Sequence, residues 1–120
     1  MRKSRRSTED PEIHHWCHPG DKFLERGADK LSDAEVLSII IGTGIRGKSA
    51  ETIAEEILAK FGSYKGTSNQ PLEKFFKIKG LGDVKIIRIA AAFEIAKRCV
   101  DLVIKEFKED QALRNEVFGD

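Results

Sequence analysis

The sequence predicts an all-α fold of about five helices, and three observations carry the prediction. Apolar residues recur at helical spacing in segments separated by glycines. Helix-start residues stand just ahead of those segments. A charged fraction of 34% and only three Pro in 120 residues suit a helix-rich, water-facing chain.

The first helix is short, over residues 21–26. In "LSDAEVLSIII", Ser32 followed by Glu35 spells a capping box, so a second helix is expected over 33–41. Val36, Leu37, Ile39, Ile40 and Ile41 form its apolar face. Ser49 can cap a third helix over 50–61, with Ala50, Ile53, Ala54, Ile57, Leu58 and Phe61 on one side. Gly62 supplies the left-handed stop. A fourth helix is expected over 71–78, where Pro71 suits the first turn and Phe75, Phe76 and Ile78 are apolar. Gly80, Leu81 and Gly82 interrupt, and Asp83 places a negative side chain at the start of a last helix reaching about Phe107. Val84, Ile87, Ala90 and Ala91 are expected to bury one side of it, widened by Ile86, Ile89, Phe93 and Ala96.

At 40% hydrophobic content the chain suits one compact domain. Residues 1–20 read as a basic and then polar arm, 21–107 as the helical domain and 108–120 as an acidic tail. The N-terminus has no apolar signal region and no run approaches bilayer-spanning length, so no membrane association is expected. Two cysteines, Cys17 and Cys99, are too few for a disulfide framework, and a cytoplasmic location follows.

"GTGIRGKS", from Gly42 to Ser49, fits the phosphate-cradling loop G-x-x-x-x-G-K-[ST]. That loop binds nucleotide only where a buried strand of a parallel sheet aims it. Here both flanks read as helix, and no downstream apolar run ending in Asp offers a second magnesium ligand. The glycines are therefore read as a turn between helices, and no nucleotide cofactor is expected.

The same grammar returns in "FFKIKGLGDVKIIRIAAAFEIAKR", which makes two helix-turn-helix units. Glycines let a turn backbone take positive φ and approach another surface. An apolar residue such as Leu81 pins the turn to the core. The amides opening the next helix then form an anion site. Charge supports this footprint: residues 72–98 carry seven bases and three acids, whereas 101–120 carry three bases and six acids.

This constellation resembles the helix-hairpin-helix motif, whose turn amides hold DNA phosphates without reading sequence. The first unit is a degenerate copy, with Thr43 where an apolar pin is expected. More widely, "LERGA", "LSDAE", "GTGIRGKS" and "KGLG" resemble, in order and spacing, the N-terminal domain of the RadC family, over about residues 21–98. The resemblance implies a tandem helix-hairpin-helix, SAM-like bundle that binds duplex or branched DNA through its backbone, in repair or recombination. It also implies a separate metalloprotease-like domain with an H-x-H motif. No His follows Arg98, so that domain is expected to be lacking and no catalytic residue is carried over. Family members usually have a small residue and Ala where this chain has Asp83 and Val84, which implies weaker phosphate contact at that turn.

The candidate DNA-binding residues are Lys79, Gly80, Leu81, Gly82, Lys85 and Arg88 in the second unit, and Gly42, Gly44, Arg46 and Lys48 in the first. Lys85 is expected to be exposed in the first turn of the last helix. Gly82 is expected to be strained by any side chain. The bland alternative is that these charges form a solvated helix face. "HHWCH", His14 to His18, offers metal-ligating groups, but zinc sites draw ligands from separated clusters, so an arm with Trp16 packed on the core is preferred. Two rivals to DNA binding stand beside it. A helical module could dock a protein partner or tether a separate catalytic domain. A helix-hairpin-helix glycosylase would need a second helical lobe that this chain is too short to supply.

Overall fold

The computed structural model describes residues 18–119, and among them the regular elements are helices, with one isolated bridge between Ile45 and Lys48. The basic arm with Arg2, Lys3, Arg5 and Arg6, and the cluster of His14, His15, Trp16 and Cys17, lie outside the described residues.

Helix α1 (Pro19–Arg26) opens on a proline and ends at Gly27. A 3₁₀ turn (Ala28–Lys30) leads to α2 (Asp33–Ile41), where the capping box is complete. The Glu35 amide donates to Ser32 Oγ at 3.1 Å, and the Ser32 amide donates to Glu35 Oε1 at 2.9 Å. That amide bond, with Lys22 Nζ donating to the same carboxylate at 3.1 Å, holds Glu35 below the usual carboxylate range. It also ties α1 to α2. Helix α3 (Ala50–Phe61) is capped by Ser49, whose Oγ accepts from the Thr52 amide at 3.1 Å.

Three elements differ from the sequence expectation in kind or extent. A short α4 (Tyr64–Ser68), capped by Ser63, stands where a connection was expected. Residues 71–78 are not an α-helix but a 3₁₀ helix (Leu72–Lys77) with Pro71 at its cap. Pinned between Pro71 and the next glycine turn, this segment buries Phe75 and Ile78, and three residues per turn places them on one side. Helix α5 (Asp83–Phe118) runs past Phe107 to Gly119, because neither Gly nor Pro occurs between Gly82 and Gly119. Ion pairs at i,i+4 spacing, Arg98–Glu94, Lys97–Asp101 and Arg114–Asp110, line its exposed length.

The core lies where α2, α3, the 3₁₀ helix and the start of α5 meet. Leu37, Ile41, Ile53, Ala54, Ile57 and Phe75 fill it from the first three. Leu81, Ile86 and Ile89 close it from the second hairpin and α5. On α5, Ile86 and Ile89 are buried and Ala90 and Phe93 half-buried, as expected, whereas Val84, Ile87, Ala91 and Ala96, also expected on the buried side, face solvent. The rings of Phe61 and Phe75 meet at a tilt of 53° with centroids 5.1 Å apart, and Tyr64 meets Phe93 edge-on at 6.1 Å, seating α4 against α5. The buried hydroxyls of Ser38 and Thr67 donate to carbonyls of their own helices, so neither leaves a polar group unsatisfied.

Candidate nucleic-acid interface

Both glycine turns lie on one side of the core, and each follows from local chemistry. In the first hairpin, Gly42 ends α2 with φ of 89°. Ile45 and Lys48 exchange backbone hydrogen bonds of 2.9 Å, closing a tight turn around exposed Arg46 and Gly47. Gly44 is required for space, since a Cβ there would stand 2.1 Å from the Lys48 carbonyl oxygen. "GTGIRGKS" therefore connects two helices, which is the context the flanks predict.

The second hairpin is pinned by buried Leu81, whose amide donates to the Ile78 carbonyl at 3.2 Å. Gly80 carries the positive φ, 103°, and a Cβ on it would come within 2.7 Å of Ile53 Cδ1. Gly82 does not behave as expected. Its φ is −100°, it is exposed, and a Cβ would meet nothing within 4 Å. A side chain at Gly82 thus costs no strain and would project into the solvent in front of the hairpin.

Gly82 also serves as the N-cap of α5 without any side-chain hydrogen bond to the helix. Helices α2, α3 and α4 each begin with a serine whose hydroxyl occupies a first-turn amide. The start of α5 accordingly leaves its orphan amides facing out. A shallow depression runs in front of them, floored by Ile45, Gly80, Leu81 and Gly82. Ile45, two residues beyond Thr43, is half-buried with its Cδ1 beside Gly80, so the first hairpin meets the second through it. A half-buried Ile closely following G-x-G was the available signal.

Three of the candidate phosphate-binding bases have protein partners. Lys48 Nζ donates to the Lys79 carbonyl at 2.8 Å and pairs with Glu56 Oε1 at 2.8 Å. Lys85 Nζ donates to the carbonyls of Thr43 and Gly80, and is half-buried rather than exposed as expected. Arg88 Nη1 reaches the Ile41 carbonyl at 3.5 Å, at the C-terminal end of α2. Each cation bridges one hairpin to the element beside the other, so the two turns are clasped together through their carbonyl oxygens. Lys79 and Arg46 remain as exposed bases flanking the pair.

Among the described residues no group of three or more His, Cys, Asp and Glu is placed to hold a metal, and no helix is long and apolar enough to cross a membrane. Cys99 is a free thiol exposed on α5.

A family model described as UPF0758 N-terminal matches residues 12–87. The UPF0758 protein of Alteromonas mediterranea is 39% identical over 92 residues, covering 77% of this chain and 40% of that protein. That of Halorhodospira halophila is 44% identical over 80 residues, covering 67% of this chain and 36% of its own length. A UPF0758 protein of Pseudoalteromonas atlantica is 38% identical over 101 residues, with 84% and 42% covered. The chain thus spans about two fifths of the length of these curated relatives. No solved structure matches it.

Proposed function

Because this chain belongs to the UPF0758 family, which is the RadC family its motifs resemble, we propose that it binds DNA non-specifically through backbone phosphates at the paired hairpins. A role in DNA repair or recombination accompanies that reading, and no catalytic step is assigned to these residues. The observation that carries it is the uncapped start of α5 behind an open Gly82, beside the first hairpin. One phosphate oxygen would accept from the α5 amides, where the helix dipole favours negative charge. Exposed Lys79 and Arg46 would stand at either side as screening cations. Lys48, Lys85 and Arg88 act indirectly, by fixing the distance between the two turns. Asp83 at the first position of α5 opposes the anion and sets a modest affinity.

The test is titration of labelled duplex and branched DNA at several salt concentrations. Engagement of about four phosphates gives a log–log salt slope near −3 to −4. Lys79→Glu and Arg46→Glu should each weaken binding several-fold and flatten the slope by about one unit, with unchanged melting. Affinity insensitive to salt, or unchanged in both variants, would replace this reading with a protein-docking module.

A further inference from the structure

We infer that the distal half of α5 is a self-association helix that pairs antiparallel with α5 of a second copy. From Glu94 onward every described residue of this helix is exposed, and its last buried core residue is Ile89. Helices in proteins draw most of their stability from packing an amphipathic face. Between Ile95 and Phe118 there are nine large apolar side chains, each 46–82% exposed. Through Phe107 they occupy one broad side, with Glu94, Asp101 and Lys105 opposite, Lys97 and Arg98 at its two edges, and Glu106 as the one acid within it. Nine such side chains from each copy, with the residues between them, would form the apolar centre of an interface of standard size, about 800 Å² a side.

Charge selects the occupant and its direction. From Lys85 to Arg98 the helix carries four bases against one acid, whereas from Glu106 to Glu116 it carries four acids against two bases. An antiparallel second copy sets each basic part beside an acidic part. A parallel one sets Glu106, Glu109 and Asp110 against their own counterparts. Pairing centred between Val103 and Ile104 brings Phe107 level with Val100 of the other copy. It also brings Val117 level with Ala90, where an apolar groove lined by Tyr64, Leu72, Phe75, Phe93 and Val100 is open to receive it. Neither the pairing nor its test depends on whether the hairpins bind DNA.

Sedimentation velocity of the full chain over a wide concentration range is the experiment. The chain should dimerise, and both double variants, Lys97→Glu with Arg98→Glu and Glu109→Lys with Asp110→Lys, should weaken the dimer by about tenfold or more. The quadruple variant carrying all four reversals should recover it, because the antiparallel partner then again presents opposite charge. That recovery also shows that loss of the intrahelical ion pairs was not the cause. Folding is checked separately by the NMR signals of the buried methyl groups of Ile41, Ile53 and Ile57, which should stay unchanged in every variant. A wild-type chain that stays monomeric overturns the inference and leaves the face to a different protein. Double variants as tight as wild type, or a quadruple variant as weak as the doubles, overturn the antiparallel arrangement.

Discussion

Replacing Lys48 by Met separates a structural clasp from a nucleotide-binding lysine. Met keeps most of the apolar stem, and only 15% of the Lys48 side chain is exposed, so the change removes chiefly the ammonium group. Two interactions go with it. The bond to the Lys79 carbonyl is charge-assisted and at 2.8 Å, a class contributing about 1.5–3 kcal/mol. The pair with Glu56, whose side chain is 47% exposed, adds only about 0–1 kcal/mol after solvent screening. A loss of about 2 kcal/mol corresponds to a drop of roughly 8–16 °C in melting temperature for a domain of this size. Thermal denaturation followed by circular dichroism measures it, with and without ATP and magnesium. A ligand that binds the native state raises the melting temperature, so the clasp predicts no rise in either protein. A variant melting within about 2 °C of wild type refutes the clasp. A wild-type shift with ATP that the variant lacks restores the nucleotide reading of the loop.

The two glycines of the second hairpin should respond oppositely to alanine. Gly80→Ala meets both a positive φ and Ile53 and should lose on the order of 1–3 kcal/mol by denaturant titration, whereas Gly82→Ala should be near neutral. Ile89→Ala, emptying a position 1% exposed, should cost about 2–5 kcal/mol in the same assay. For Glu35, a depressed folded-state pKa means that its contribution is full above the unfolded value of about 4.3 and is lost as pH falls through the folded one. Melting temperatures taken from neutral pH down to acid should therefore fall more steeply for wild type than for Glu35→Gln. Parallel curves would show that the capping box and Lys22 do not stabilise the charged form.

Helices with chemically explicit ends were legible in the sequence. Ser32 with Glu35, Ser49, and Gly62 mark α2 and α3 to the residue, because caps are local interactions that sequence spacing encodes. Helix α4 was not legible, since five residues rich in Gly, Ser and Thr carry no helical period. The face of α5 was drawn too broadly for a different reason. Apolar residues occupy several of its sides, so periodicity alone cannot choose between Val84 with Ile87 and Ile86 with Ile89. At the hairpins, glycine positions were readable from the motif spacing. The partners of Lys48, Lys85 and Arg88 were not, because they are backbone carbonyls distant in sequence, which leave no side-chain signature.

The uninterrupted run of α5 from Asp83 to Phe118 makes the helix a ruler. At a rise of about 1.5 Å per residue, the hairpin at its start lies about 30 Å from the level of Val103. Two copies joined antiparallel at that level would carry their hairpins about 60 Å apart, or roughly eighteen base pairs along a duplex at about 3.4 Å each. Inserting one heptad beyond Val103 would lengthen that interval without touching either hairpin. Any preference for DNA length or for the arms of a junction would then be set by the number of residues in a helix, and not by a side chain that contacts DNA.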